Sequence, residues 1–130
     1  MCLLDRVLEW DPARIRCAAT SHRDPENPLR AHGRLGAAAG IEYAAQAMAV
    51  HGALCAGEAA AAAAGHGMLA SVRAVAIEVE RLDDIADELI VAAERLSAGA
   101  RAIAYAFDVS AGARILLSGR ATVMLAPVAG

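Results

Sequence analysis

Glu42 stands in the stretch from Gly36 to Gly67, which is otherwise dominated by alanine and other apolar residues, and a carboxylate in such company needs a reason. Enclosure by protein would raise its pKa and suit it to general-acid work near neutral pH; a place near a helix start would favour its negative charge anyway. Gln46, four residues on, shares its helix face, and the two form one polar spot. His51 lies nine residues after Glu42, about 900° round at about 100° per residue, and faces away. Four histidines compete for the role of base: His22 and His32 in the loop before this helix, His51 within it, and His66 between two glycines. Position favours the loop pair. Gly36 and Gly40 lie where small residues let a ligand carbonyl approach backbone N–H groups and the positive end of a helix dipole. The same glycines equally suit close packing of helix on sheet. There is no nucleophile elbow, Walker loop, dinucleotide fingerprint, HExxH or CxxC, and Cys2, Cys17 and Cys55 have no metal-ligand spacing. Acid–base chemistry or simple binding remains, with no metal expected.

The elements that must position these residues follow from hydrophobic period. Residues 3–10 are mostly aliphatic or aromatic, Asp11-Pro12 signals a turn, and the segment from Arg14 alternates polar with apolar, so residues 1–20 read as a first hairpin. Residues 21–35 carry Pro25, Asn27, Pro28 and Gly33 among charges and read as a long loop of the kind that carries function. Residues 36–56 form a helix apolar nearly all round, as expected for one enclosed by protein. The alanines of 59–64 extend that helix or fill a loop. Residues 68–126 then change to period 2: Val75, Ile77 and Val79; Leu89 to Leu96; Ile103, Tyr105, Phe107 and Val109; and Ile115 to Leu125. Asp83-Asp84, Ser97 to Gly99 and Ser110 to Gly112 read as the turns of an antiparallel meander. A single domain over 1–130 is expected.

The 130 residues comprise twelve basic and fifteen acidic side chains, a net charge of -3, which removes the electrostatic footprint of a nucleic-acid binder. All twelve bases are arginine, and 35 alanines against one Trp, two Tyr and one Phe make a core of small residues and close backbone contacts. Three cysteines and the start Met1 to Arg6 suggest a reducing cytoplasm without export. The apolar stretch is interrupted by Glu42, Gln46, His51 and Glu58, so no membrane span is expected. One helix covers one face of an amphipathic sheet, and a two-fold dimer joining edge strands is the simplest completion.

Three stretches make the chain resemble a hotdog-fold protein of the 3-hydroxyacyl-acyl-carrier-protein dehydratase superfamily. They are Leu3 to Val7, the segment His22-Arg23-Asp24-Pro25, and Gly36 to Gln46, which matches the family's Gly, then Glu, then Ala-Gln pattern. The resemblance implies an α+β hotdog fold, a long central helix wrapped by an antiparallel sheet of about five to six strands. It also implies a homodimer or higher homo-oligomer with sites at the interface, where a loop His of one subunit faces a helix Glu of the other. His22 then takes a proton beside a thioester carbonyl, Glu42 protonates the departing 3-hydroxyl, and backbone N–H groups near Gly36 and Ala37 hold the enolate oxygen, with Gly40 and Gln46 lining the substrate site.

The loop departs from the family pattern. Arg23 follows His22 where the family has Phe, Leu35-Gly36 opens the helix where it has Pro-Gly, and His22 precedes Glu42 by twenty positions, more than is usual. Either an insertion around Glu26 to Arg30 absorbs the difference or His32 serves as the base. The resemblance also implies a short segment preceding Met1. It is strongest to the small dehydratase-like proteins of bacterial polyene and specialised fatty-acid pathways, which implies a substrate on the phosphopantetheine of acyl carrier protein or on CoA and no other cofactor. A surface cluster drawn from Arg14, Arg16, Arg23, Arg30 and Arg34 would steer an acidic carrier protein. The alternatives are a hotdog acyl thioesterase that uses Glu42 without needing His22, and a non-catalytic acyl-binding subunit.

Overall fold

A computed structural model of the chain describes residues 2–56 and 67–125; His66 and the alanines of 59–64 lie outside the described residues. Strands β1 (Arg6–Asp11) and β2 (Arg14–Ala19) pair as the expected first hairpin. Asp11 makes the turn, its Oδ1 accepting the amides of Ala13 at 2.7 Å and Arg14 at 3.0 Å. After the loop and its 3-10 turn at Ser21–Arg23, a second 3-10 turn, Ala37–Ala39, leads into helix α1, Gly40–Ala56. The regular helix therefore begins after residue 36. Gly36 is extended, and the Ala39 amide reaches back three residues to its carbonyl.

Strands β3 (Gly67–Ile77), β4 (Leu89–Ala98), β5 (Ala102–Ala111) and β6 (Arg114–Leu125) complete one antiparallel sheet of six strands in the order β1-β2-β4-β5-β6-β3. This is the hotdog architecture, one long helix packed on one antiparallel sheet. The expected meander holds only for β4, β5 and β6. Strand β3 pairs with β6 at the sheet edge, because residues 78–88 are not a hairpin turn but a connection laid against the start of the helix. There Leu82 donates to the Leu35 carbonyl at 2.8 Å and Ala37 to the Glu80 carbonyl at 3.0 Å.

Helix α1 buries one stripe, Gly40, Tyr43, Ala44, Ala47, Met48 and His51, against β2, β4 and β5. The expectation of a helix enclosed all round is corrected: Glu42, Ala49 and Ala53 are exposed, since a single sheet covers a single side. Facing the stripe, β5 contributes Ile103, Tyr105, Phe107 and Val109, the alternation read from its sequence, while Ile15, Cys17, Leu89, Val91 and Leu117 fill the neighbouring strands. Fully burying each of the larger aliphatic side chains contributes about 1.5–3 kcal/mol. No helix among the described residues is long and apolar enough to cross a membrane.

Candidate active site

The loop that carries His22 is held by a buried polar network that the sequence did not announce. Ser21 Oγ donates to the Leu3 carbonyl at 2.7 Å, which leaves the Tyr43 hydroxyl to donate to Ser21 Oγ, also at 2.7 Å. Asn27 Nδ2 donates to the Ser21 carbonyl at 2.9 Å and to the Tyr43 hydroxyl at 3.0 Å. All three residues are buried, and with their partners in place the network orders the loop against α1.

His22 itself is fully buried. Its Nε2 lies 3.0 Å from the Ile85 carbonyl, which can only accept, so Nε2 carries the proton and Nδ1 keeps its lone pair. Nδ1 is buried and has no hydrogen-bond partner among the described residues. Burial lowers the His22 pKa, and Arg23 pushes the same way; the main-chain carbonyl of Ile85, the Asp87 backbone and Asp5 oppose it. A neutral imidazole with one fixed N–H and one vacant lone pair is the state a general base requires.

His32 is exposed at φ 54°, and with Gly33 at φ 78° it forms the tip of a tight turn closed by hydrogen bonds between Ala31 and Arg34. His51 is structural: Nδ1 meets the Tyr105 hydroxyl and Nε2 the Asp11 carbonyl, each at 2.8 Å. Because Nε2 donates to that carbonyl, it cannot take the proton of Cys55, whose Sγ lies 3.4 Å away. Glu42 is exposed in the first turn of α1 rather than enclosed, and His22 and Glu42 do not meet as a hydrogen-bonded pair within one chain. Gln46 Oε1 accepts the Leu3 amide at 2.8 Å and so ties down the N-terminal segment.

Gly36 faces Arg81 as an isolated antiparallel pair, flanked by the Leu82-to-Leu35 and Ala37-to-Glu80 hydrogen bonds. Such a pair is of the non-hydrogen-bonded kind, so the Gly36 N–H points off the ladder. The Ala37 N–H, in contrast, is committed to the Glu80 carbonyl, which corrects the expectation that it joins Gly36 as a donor to substrate. Gly36, Ala37 and Ala38 line an open groove of about 510 Å³ with Arg34, Ile77, Val79 and Glu80. A second groove, of about 270 Å³, shares Val79 and Glu80 and continues past Arg81, Asp84, Ile85 and Arg114, so it reaches the residue that anchors His22.

The two glycines play different parts. A Cβ on Gly40 would lie 2.5 Å from Leu117 Cδ2 and 3.2 Å from its Cγ, and Leu117 is fully buried; a Cβ on Gly36 would meet nothing within 4 Å. Gly40→Ala is therefore expected to destabilise the chain by about 1–3 kcal/mol in urea unfolding. Gly36→Ala should leave stability within about 0.5 kcal/mol. A groove-facing role for Gly36 then shows as lost binding or turnover without lost stability.

The five arginines expected to cluster are dispersed. Arg14 pairs with Asp11 and Arg16 with Glu9, at 3.8 and 3.0 Å, on strand positions that alternate with the buried Ile15 and Cys17. Arg30 turns inward to Asp83, leaving Arg23 and Arg34 exposed near the loop. No group of His, Cys, Asp and Glu able to hold a metal ion occurs among the described residues.

Comparison with known proteins gives this geometry a family. The ApeP dehydratase family matches residues 1–128. The chain belongs to the ApeP-like dehydratase family. Among solved structures, a chain of the dehydratase heterocomplex ApeI:P from Xenorhabdus doucetiae superposes on this ApeP-like chain with a TM-score of 0.84 at 25% identity, covering 95% of this chain and 82% of that one. AziG of S. sahachiroi aligns at 0.64 and 16% identity over 95% and 91% of the two chains. A mutant thioesterase of Pseudomonas aeruginosa aligns at 0.68 and 14% identity over 95% and 81%; at such identities the likeness is one of fold. No curated protein sequence matches the chain.

Proposed function

We propose that this ApeP-like chain dehydrates a 3-hydroxyacyl thioester, carried on the phosphopantetheine of acyl carrier protein, to the 2-enoyl thioester, within a fatty-acid or polyene type of biosynthesis. The observation that carries the reading is His22, buried and neutral, with Nε2 held by the Ile85 carbonyl and Nδ1 free to accept a proton. Nδ1 takes the C2 proton, and the electron pair of that bond moves toward the thioester carbonyl. The Gly36 N–H stabilises the resulting enolate oxygen. As the pair returns to form the C2=C3 double bond, the C3–O bond breaks, and Glu42 gives the departing hydroxyl its proton so that water leaves. Transfer of a proton from His22 back to Glu42 restores both groups. The chemistry assigned to these residues calls for no metal and no cofactor beyond the thioester arm.

A second subunit completes the reading. Within one chain His22 and Glu42 form no pair, and the family resemblance puts base and acid on different subunits, so the Glu42 that serves His22 is supplied by a partner chain. Strand β3 is a sheet edge with Leu69, Val75 and Ile77 exposed, which supports pairing through that edge. The partner is a second copy or, as in the dehydratase heterocomplex ApeI:P, a different dehydratase chain. Arg34 on the groove and the exposed Arg23 are the arginines left to meet an acidic carrier protein.

The test is turnover of a 3-hydroxyacyl thioester, followed by absorbance of the conjugated product; thiol release without that absorbance would replace the proposal with a thioesterase. The pH profile is a further expectation. Burial lowers the His22 pKa from 6.5, so the base stays neutral below the ordinary imidazole range, and the acid limb of kcat/KM should lie below pH 6.5. Stability should move with it. Below pH 6.5 the unfolded chain protonates this His while the folded chain does not, so His22 lowers stability as pH falls from 6.5 toward its folded pKa. Thermal melts of wild type and a His22 variant across that window measure the difference.

A further inference from the structure

Asp83 lies outside every role assigned so far, yet its carboxylate is joined to both halves of the site. Its side chain is only 6% exposed. Oδ1 accepts the Leu35 amide at 2.9 Å and Arg81 Nε at 3.0 Å, and Arg81 Nη2 closes on Oδ2 to make a two-pronged pair. Arg30 Nη1 lies 3.8 Å from Oδ2. From there Arg30 reaches into the loop, donating from Nε to the Asp24 carbonyl at 2.9 Å, from Nη1 to the Gly33 carbonyl at 3.4 Å and from Nη2 to the His22 carbonyl at 3.5 Å.

We propose that Asp83 is a positioning residue that fixes His22 and the Gly36 N–H relative to one another, through Arg30 on one side and the Leu35 amide on the other. This rests on the assignment of His22 as the base. Leu35 immediately precedes Gly36, so the carboxylate sets where the groove-lining N–H begins, while Arg30 holds the backbone of the residue that carries the imidazole. The carboxyl stays ionised because Arg81 above all, with the Leu35 amide, holds it well below the usual carboxylate range. A neutral amide at this position keeps an acceptor for Leu35 but turns N–H groups toward two guanidinium groups, so the bridge breaks while the side chain keeps its shape.

The test uses Asp83→Asn and Arg30→Ala in the full chain with its partner subunit. Misplacing the base or the enolate donor lowers kcat without weakening ground-state binding, so Asp83→Asn should lose about 10- to 100-fold in kcat with KM within about 3-fold. Nitrogen NMR of the unliganded protein gives a readout independent of turnover. Wild-type His22 should show one tautomer with the proton on Nε2. In Asp83→Asn its two ring-nitrogen signals should move toward each other and the Gly36 amide signal should shift. Arg30→Ala cuts only the loop branch, so it should move the His22 signals and leave the Gly36 amide in place; it also supplies the readout if Asp83→Asn does not fold. Unchanged His22 signals in the folded variants would overturn the proposal, as would an unchanged kcat in Asp83→Asn. A wild-type protein that turns over no hydroxyacyl thioester while the variants still move these signals would sink the dehydratase reading and leave the positioning role standing.

Discussion

His22→Ala is expected to lower kcat for dehydration by about 10²- to 10⁴-fold, the range a positioned general base contributes. No other described histidine can take over: His51 has both ring nitrogens engaged, by Tyr105 and the Asp11 carbonyl, and His32 stands exposed on a turn tip. The substitution also opens a cavity and leaves the Ile85 carbonyl without its donor, at a cost of about 1–3 kcal/mol, so folding must be verified by melting before the rate is interpreted. Added imidazole separates the chemical from the structural effect. A small base that enters the vacated space restores proton abstraction, and partial recovery of rate with imidazole concentration is the expected result. His32→Ala should change kcat by less than about 2-fold, because its side chain stands exposed on the turn tip. Full activity in His22→Ala, with loss in His32→Ala, would move the base to the turn.

The sequence revealed what is local. The period of Ile103, Tyr105, Phe107 and Val109 marks a strand and its buried face, because alternation is a property of neighbouring residues; the helix was legible from its apolar, proline-free composition, but not its single buried stripe, since small apolar residues lie nearly all round it. Period does not name a strand's neighbour, so β3 was expected beside β4 and lies beside β6. Asp83 shows the same boundary at the level of a site. In sequence, Asp83-Asp84 is a turn signal, but the partners that give Asp83 its role are the Leu35 amide and Arg30, far away along the chain. The family resemblance singles out His22 and Glu42 as expected base and acid, but the buried state of His22 was not legible: Ser21, Asn27 and Tyr43 hold its loop through hydrogen bonds that no spacing rule connects. Dispersal of the arginines follows from strand alternation only once the inward partner of Arg30 is known.

Glu42→Gln should lose about 10²- to 10⁴-fold in kcat while the chain stays folded, because the amide keeps the shape of the acid and cannot deliver its proton. Its exposed place in the first turn of α1 limits the stability cost to about 0.3–1 kcal/mol of helix-dipole interaction, so a melt nearly unchanged from wild type should accompany the lost rate. A variant this stable permits a stronger measurement. If the base comes from one subunit and the acid from the other, chains carrying His22→Ala and chains carrying Glu42→Gln are inactive alone but regain activity when co-expressed. A mixed homodimer then has one site with both defects and one intact site. With random pairing about half of the dimers are mixed, which places about one quarter of all sites in the intact state. Recovery near that fraction would establish a shared site in a homodimer. Absence of recovery, with each variant dimeric and inactive, would mean that base and acid belong to one chain. If the purified wild type is monomeric and gains activity only on adding a second hotdog chain, the partner is that chain, and each single variant then identifies which reacting group this subunit supplies.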